Sequence, residues 1–146
     1  MWFSKKQAVK PPAPGAVATR QITTKRQGDV AEGQALAYLR QAGLQLLDAN
    51  YRTPGRGGGE IDLIMRAPDG TLVFVEVRQR ASQSHGGAGA SISPAKQQRI
   101  IFAARHYLMR FASPPPCRFD VVLVQGGAQS FEKPQLQWLQ AAFDAS

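Results

Sequence analysis

The sequence predicts an α/β fold, a mixed sheet of four to five strands flanked by helices, and three observations carry that reading. The stretch 55–80, GRGGGEIDLIMRAPDGTLVFVEVRQR, holds two short apolar runs joined by a turn signal, which reads as a hairpin. Segments on either side repeat their apolar residues at helical spacing, and another apolar run follows the second of them. The strand-like runs are also apolar at consecutive positions, the pattern of strands covered on both faces. The order helix, three strands, helix, strand and a short terminal element then calls for helices layered on a central sheet.

A chain of 146 residues, 43% hydrophobic and 19% charged, is long enough for one domain with a proper core and short for two. No apolar run approaches the roughly 20 residues that span a bilayer. Lys5 and Lys6 are not followed by the apolar stretch of a secretory signal. Cys117 has no second cysteine to pair with, which fits a reducing compartment. A cytoplasmic protein with no membrane partner is expected. Cys117 opens an apolar run and reads as core.

The net charge of +8 is uneven: six of the 18 basic residues lie in residues 1–26, which hold no acid. That tail contains Pro11, Pro12 and Pro14 and lacks apolar periodicity, so it is expected to be disordered, with 27–146 forming a single domain. The informative charge is local. From Ala81 to Phe119 there are five cations, Lys96, Arg99, Arg105, Arg110 and Arg118, and no acid. A block of one sign suits a polyanion such as nucleic acid, with an ordinary solvated helix face as the plainer alternative.

The first helix is expected from about Gly28 to Ala42, with Ala31, Ala35, Tyr38, Leu39 and Ala42 as its apolar stripe, Asp29 favouring its start and Gly43 ending it. Glu32 lies beside the stripe. As a first-turn acid it is explained by the helix dipole; the alternative makes it a third metal-binding or supporting carboxylate. Leu44 to Arg52 reads as the first strand. Thr53 to Gly59, one Pro and four Gly around Arg56, is a loop whose backbone N–H groups can approach a phosphate, although it lacks the pattern of a nucleotide-binding P-loop.

In the hairpin, Glu60, Asp62 and Ile64 share one face of the second strand, and Leu72, Phe74, Glu76 and Arg78 share one face of the third. Pro68-Asp69-Gly70 fits a three-residue turn with Gly70 left-handed. That turn sets the register: Ala67 faces Thr71, Asp62 faces Glu76 and Glu60 faces Arg78. Facing residues have Cβ atoms about 4.5–5.5 Å apart. A carboxylate on a buried strand costs several kcal/mol unless it is paired, hydrogen-bonded or metal-bound, so two of them together require a reason.

The loop 79–92 places His85 among small residues, where a solvent-exposed, idle histidine is expected. The second helix should start with Ser93 as N-cap and Pro94 in the first position and run to about Phe111. Ile100, Ile101, Ala104, Tyr107, Leu108 and Phe111 form its buried stripe, leaving Lys96, Arg99 and Arg110 off it. Cys117 to Val124 reads as the fourth strand, with Asp120 paired to Arg118. Leu136 to Phe143 fits either a fifth strand or a docking helix.

Phosphodiester hydrolysis needs an activated water and stabilisation of charge on the phosphate, and a divalent metal held by carboxylates supplies both. Mg²⁺ takes hard oxygen ligands and keeps several waters, so two carboxylates and a backbone carbonyl suffice. Asp62, Glu76 and the cation Arg78 fit that chemistry.

The pieces GDVAEGQALAYLRQAGLQLLDANYR, GGGEIDLIMR, LVFVEVRQR, PAKQQRIIFAARHYL and RFDVVLV, in this order over residues 27–124, resemble the YraN family. These are small bacterial proteins of the restriction-endonuclease-like, PD-(D/E)xK nuclease fold, similar to Holliday-junction resolvases. The resemblance implies a three-layer fold, Asp62 and Glu76 as metal ligands, Glu32 as the helix acid, the Val77 carbonyl as a further ligand, and Mg²⁺ or Mn²⁺ as cofactor. Arg78 stands where the nuclease motif has lysine. It keeps the charge, but a guanidinium holds its proton and is a poor proton acceptor.

The expected function is a metal-dependent endonuclease hydrolysing DNA phosphodiester bonds, with branched DNA as a candidate substrate. Asp62, Glu76 and Arg78 are its catalytic residues, Asp62, Glu76 and Glu32 its metal-binding residues, and Arg56, Arg80, Lys96 and Arg99 its nucleic-acid-binding residues. DNA is the expected partner, and a homodimer is left open. The alternatives are a catalytically silent nucleic-acid-binding or accessory module on the same fold, and a protein-interaction domain whose acids form structural ion pairs.

Overall fold

The computed structural model describes residues 19–55, 57–80, 92–125 and 134–145, with side chains except those of 19–27 and Arg80. The first 18 residues of the tail, Arg56 and the loop carrying His85 lie outside the described residues, as does the Arg80 side chain. Seven elements follow in order: α1 (Thr19–Gln41), β1 (Gln45–Arg52), β2 (Glu60–Arg66), β3 (Leu72–Arg80), α2 (Pro94–Leu108), β4 (Cys117–Gln125) and β5 (Gln135–Phe143). The strands form one mixed sheet in the order β1-β2-β3-β4-β5, antiparallel throughout except for the parallel pair β3–β4 that α2 connects.

The sheet is covered on both sides, as its doubly apolar strands require. On one face Ala31, Ala35 and Leu39 of α1 pack on Leu63, Met65, Val73, Val75, Val122 and Val124. On the other, Ile100, Ile101, Ala103, Ala104 and Tyr107 of α2 pack on Ile61, Ile64, Leu72, Phe74, Phe119, Val121 and Leu123. The result is the three-layer, restriction-endonuclease-like arrangement.

Helix α1 departs from expectation at its start. It begins at Thr19, so it takes in residues 19–26, which read as tail because TRQITTKR carries no apolar stripe. Asp29 is therefore inside the helix and does not start it. Tyr38 and Ala42, expected on the buried stripe, are exposed. The end is as expected. Gly43, at φ +101°, donates to the Arg40 carbonyl at 3.0 Å, and Leu44 N–H reaches the Leu39 carbonyl at 3.0 Å. These two bonds are a Schellman cap, and Leu44 and Leu39 both enter the core beneath it.

The hairpin register is the one the turn dictates. Leu63 faces Val75, Ile64 faces Phe74, Met65 faces Val73 and Arg66 faces Leu72. Gly70 is left-handed at φ +93° and donates to the Ala67 carbonyl, while Thr71 N–H reaches Asp69 Oδ1 at 3.0 Å. Helix α2 starts as predicted, with Ser93 Oγ accepting the Lys96 N–H at 3.2 Å, but ends at Leu108. Leu136 to Phe143 lies in a strand: β5 pairs with the apolar edge of β4, which settles a period the sequence left open. Cys117 is exposed at the start of β4, because the apolar core of that strand begins only at Phe119.

Asp120 is fully buried and fully engaged. Arg118 Nε donates to it at 3.0 Å, Trp138 Nε1 at 2.8 Å and the Ala141 N–H at 2.9 Å. The pairing with Arg118 is the structural one expected. The Ala141 contact holds a bulge at which the β4–β5 register shifts between Phe119 and Val121, with Ala141 itself left-handed at φ +53°.

Candidate functional site

An acidic notch forms where the β2–β3 ladder stops. Regular pairing ends at Leu63–Val75, and the next two positions are Asp62 and Glu76. Asp62 turns its Oδ2 onto the backbone N–H of Val77, 2.8 Å away, so a side chain takes a donor that the ladder no longer serves. The strand alternates irregularly here: Ile61 joins Ile64 in the α2-side core, whereas Leu63 and Met65 join the other. Glu76, only 8% exposed, follows Leu72 and Phe74 toward α2, and Lys96 Nζ meets its Oε2 at 3.4 Å.

Glu32 reaches the same place from α1. It is half-buried and hydrogen-bonds with Asp62 and with Asn50 of β1. Because α1 begins at Thr19, Glu32 is not in a first turn, and the helix dipole gives no account of it. The three carboxylates are linked in series with Asp62 in the middle. Among the described residues, no three His, Cys, Asp or Glu side chains close on a single point as a metal cage.

The electrostatics are those of acids held together out of water. Burial first, then the Asp62 charge, pushes the Glu76 pKa from 4.5 up to about 7, against the pull of Lys96. Burial also lifts Asp62 above its ordinary value, opposed by the Val77 N–H and then by Lys96. Glu32 rises to about 6, again from burial and then from Asp62. Asp62 therefore raises the proton affinity of both Glu32 and Glu76, and a further cation would relieve the notch. The donor set, two desolvated carboxylates, suits a hard divalent ion.

Beside the notch lies a cavity of about 470 Å³ lined by Glu76, Val77, Arg78, Ser93 and Lys96. The structure thus brings Asp62, Glu76, Glu32, Arg78 and Lys96 together. Arg99 lines a neighbouring cavity, which it shares with Lys96. Arg56 and the Arg80 side chain lie outside the described residues. Glu60, expected opposite Arg78, pairs instead with Arg52 of β1 at 3.4 Å, since the β2–β3 ladder has ended before it.

Two features escaped the sequence reading. Lys96, expected at nucleic acid alone, sits on Glu76; the sequence places it in the first turn after Ser93 but does not say where that turn lands. Asn50, left-handed at φ +55°, delivers its amide to Glu32 from within β1. Asparagine tolerates that backbone better than most residues, which is the only signal the sequence offered.

Residues 31–124 match the family described as "Uncharacterised protein family UPF0102". A UPF0102 protein of Polaromonas sp. strain JS666 is 71% identical over 149 residues, covering the whole of both chains. One from Polaromonas naphthalenivorans is 70% identical, again over the whole of both. One from Acidovorax sp. strain JS42 is 60% identical, covering 85% of this chain and 89% of its own. The match spans all three acids of the notch together with Lys96, and the chain belongs to the UPF0102 family, the YraN family that its motifs resemble.

Proposed function

We propose that the notch is the active centre of a divalent-metal-dependent nuclease that hydrolyses DNA phosphodiester bonds. The observation that carries this reading is the forced proximity of Asp62 and Glu76, two desolvated carboxylates whose pKa values are both raised and which sit beside two cations. Structural acids are normally satisfied, as Asp120 is by three donors. The notch acids lack that closure, which is how functional sites tend to be arranged.

Asp62 and Glu76 would hold the ion, with the Val77 carbonyl as the further ligand that the resemblance implies. Bound there, Mg²⁺ or Mn²⁺ would supply an acidified water and a positive field at the phosphate. The Val77 N–H fixes the orientation of Asp62. Glu32, tied to Asp62 and Asn50, keeps that carboxylate from turning away. Arg78 and Lys96 place positive charge along the same cavity, where it favours the extra negative charge of the transition state.

Cleavage of single-stranded, duplex, flap and four-way DNA with Mn²⁺, compared with the Glu76→Gln protein, tests this reading and locates any preference for branched DNA. Cutting that disappears in the variant supports it. A second reading, a nucleic-acid-binding module without catalysis, is favoured by the Lys96–Glu76 ion pair, which already neutralises part of the notch. It predicts binding without cutting on every substrate, and unchanged binding in Asp62→Asn.

A further inference from the structure

The second cavity, about 480 Å³, opens between the glycine-rich loop after β1 and the outer side of α2's first turns. Gly57, Gly58 and Gly59 line it from the loop, Lys96 and Arg99 from the helix, and Arg52 from the end of β1, with Glu60 as its one acid. Arg52 is already paired with Glu60 and Lys96 with Glu76. Among the described residues, Arg99 has no ion-pair partner, and it is exposed.

The loop is built against the helix. Thr53 N–H donates to the Gly59 carbonyl at 3.0 Å, and Gly59 N–H donates to Thr53 Oγ1 at 2.8 Å, closing the loop at its base around a buried hydroxyl. Gly59 lies directly against the Arg99 carbonyl, where a Cβ has no room. Gly58 is likewise closed against the Thr53 side chain. Gly59 thus lets the loop backbone seat on the helix beside Arg99, and Gly58 lets the loop fold onto Thr53. The loop is preorganised there, and a preorganised loop saves ordering entropy when it binds.

Lys96 lines both cavities, so the basin and the notch are neighbouring compartments with one shared wall. We propose that the basin is a second phosphate subsite. It takes the phosphodiester adjacent to the scissile one in a nucleic-acid strand, with Arg99 as its principal cation. This deepens, and rests on, the nuclease reading of the notch. The protein is then fitted to a chain of nucleotides rather than to an isolated phosphodiester, and binding energy from the flanking phosphate positions the reacting one.

The test uses the full chain in EDTA and a labelled twelve-nucleotide DNA strand (a length of about one dozen, long enough to cover both compartments), with affinity measured across a salt series. Arg99→Ala is expected to weaken binding about tenfold and to reduce the salt slope by about one, whereas Arg40→Ala, exposed in the last turn of α1 and outside both cavities, leaves both unchanged. Unchanged affinity and slope in Arg99→Ala would overturn the subsite, as would a parent protein that binds no strand at low salt. Competition by inorganic phosphate or a mononucleotide as effective as that by the strand would also overturn it, reassigning the basin to a free phosphate. Hydrolysis of bis(4-nitrophenyl) phosphate by the parent with Mn²⁺ reads the notch alone. If that hydrolysis and DNA cleavage are both absent while Arg99→Ala still weakens strand binding, the nuclease reading falls and the subsite stands.

Discussion

The Val77 backbone N–H donates to Asp62 Oδ2 at 2.8 Å, so the acid that ends the β2–β3 ladder also caps it. This bond holds Asp62 beside Glu76 without neutralising either. Asp62→Asn keeps an oxygen for Val77 and removes only the charge. The fold is therefore expected to survive while DNA cleavage drops by at least about 100-fold. The Glu76 midpoint should also fall toward the ordinary carboxylate value, since the Asp62 charge is its second-largest raising cause. Carboxylate NMR titration reads the midpoint and a cleavage assay the rate; an unchanged midpoint would break the coupling described.

The raised Glu76 pKa sets the sign of a pH dependence. Its folded value of about 7 lies above the ordinary 4.5, so the native state holds a proton that the unfolded chain releases between these values. The group's contribution is most favourable below the unfolded value and is lost as pH rises through about 7. Glu76→Gln is thus expected to stabilise the protein more at pH 8 than at pH 5, by roughly 1–3 kcal/mol, measured by urea unfolding at both pH values. A difference of opposite sign would contradict the burial of a charge that Lys96 only partly relieves.

Metal should reverse that dependence. An ion binds the ionised acids, so millimolar Mn²⁺ is expected to raise the melting temperature clearly at pH 8 and little at pH 5.5. The shift should vanish in Asp62→Asn. Equal shifts at both pH values would point to binding elsewhere.

Asp120 serves the scaffold. Its replacement by alanine strands the Arg118 guanidinium and leaves the buried donors of Trp138 and Ala141 unmet. We expect a loss of about 3–5 kcal/mol in unfolding free energy. Metal affinity of the folded fraction, measured by calorimetry, should be unchanged. A large loss of metal affinity without a loss of stability would move Asp120 into the site.

Gly59→Ala places a methyl group against the Arg99 carbonyl. The loop must leave the helix or the helix must shift, at about 1–3 kcal/mol. Hydrogen exchange at the Gly59 amide, now bonded to Thr53, should accelerate markedly. Protection equal to the parent would show that the contact is soft.

Where local chemistry decides the structure, the sequence was readable. Gly70 and its neighbours fixed the hairpin register and so placed Asp62 next to Glu76; Ser93 and Pro94 fixed the start of α2. What depended on distant packing was not. Glu32 read as a first-turn acid because residues 19–26 have no apolar stripe to announce their helix. Lys96 read as an outward cation because nothing in the chain tells where α2 lands relative to β3. The β5 segment satisfied both periods, and only the open edge of β4 decided between them.

Both outer strands of the sheet, β1 and β5, carry a register shift and one left-handed residue that is not glycine, Asn50 and Ala141. An exposed strand edge is a template on which another chain can polymerise, and an interrupted, bent edge is a poor one. At β1 the left-handed Asn50, apart from the register shift at Leu46–Asp48, also meets Glu32; at β5 the shift itself delivers the Ala141 N–H to Asp120. The irregularities that make each margin unfit for self-assembly are the ones that tie it to an interior acid. Straightening either edge would therefore expose the protein to aggregation and detach a carboxylate from its donor in the same step.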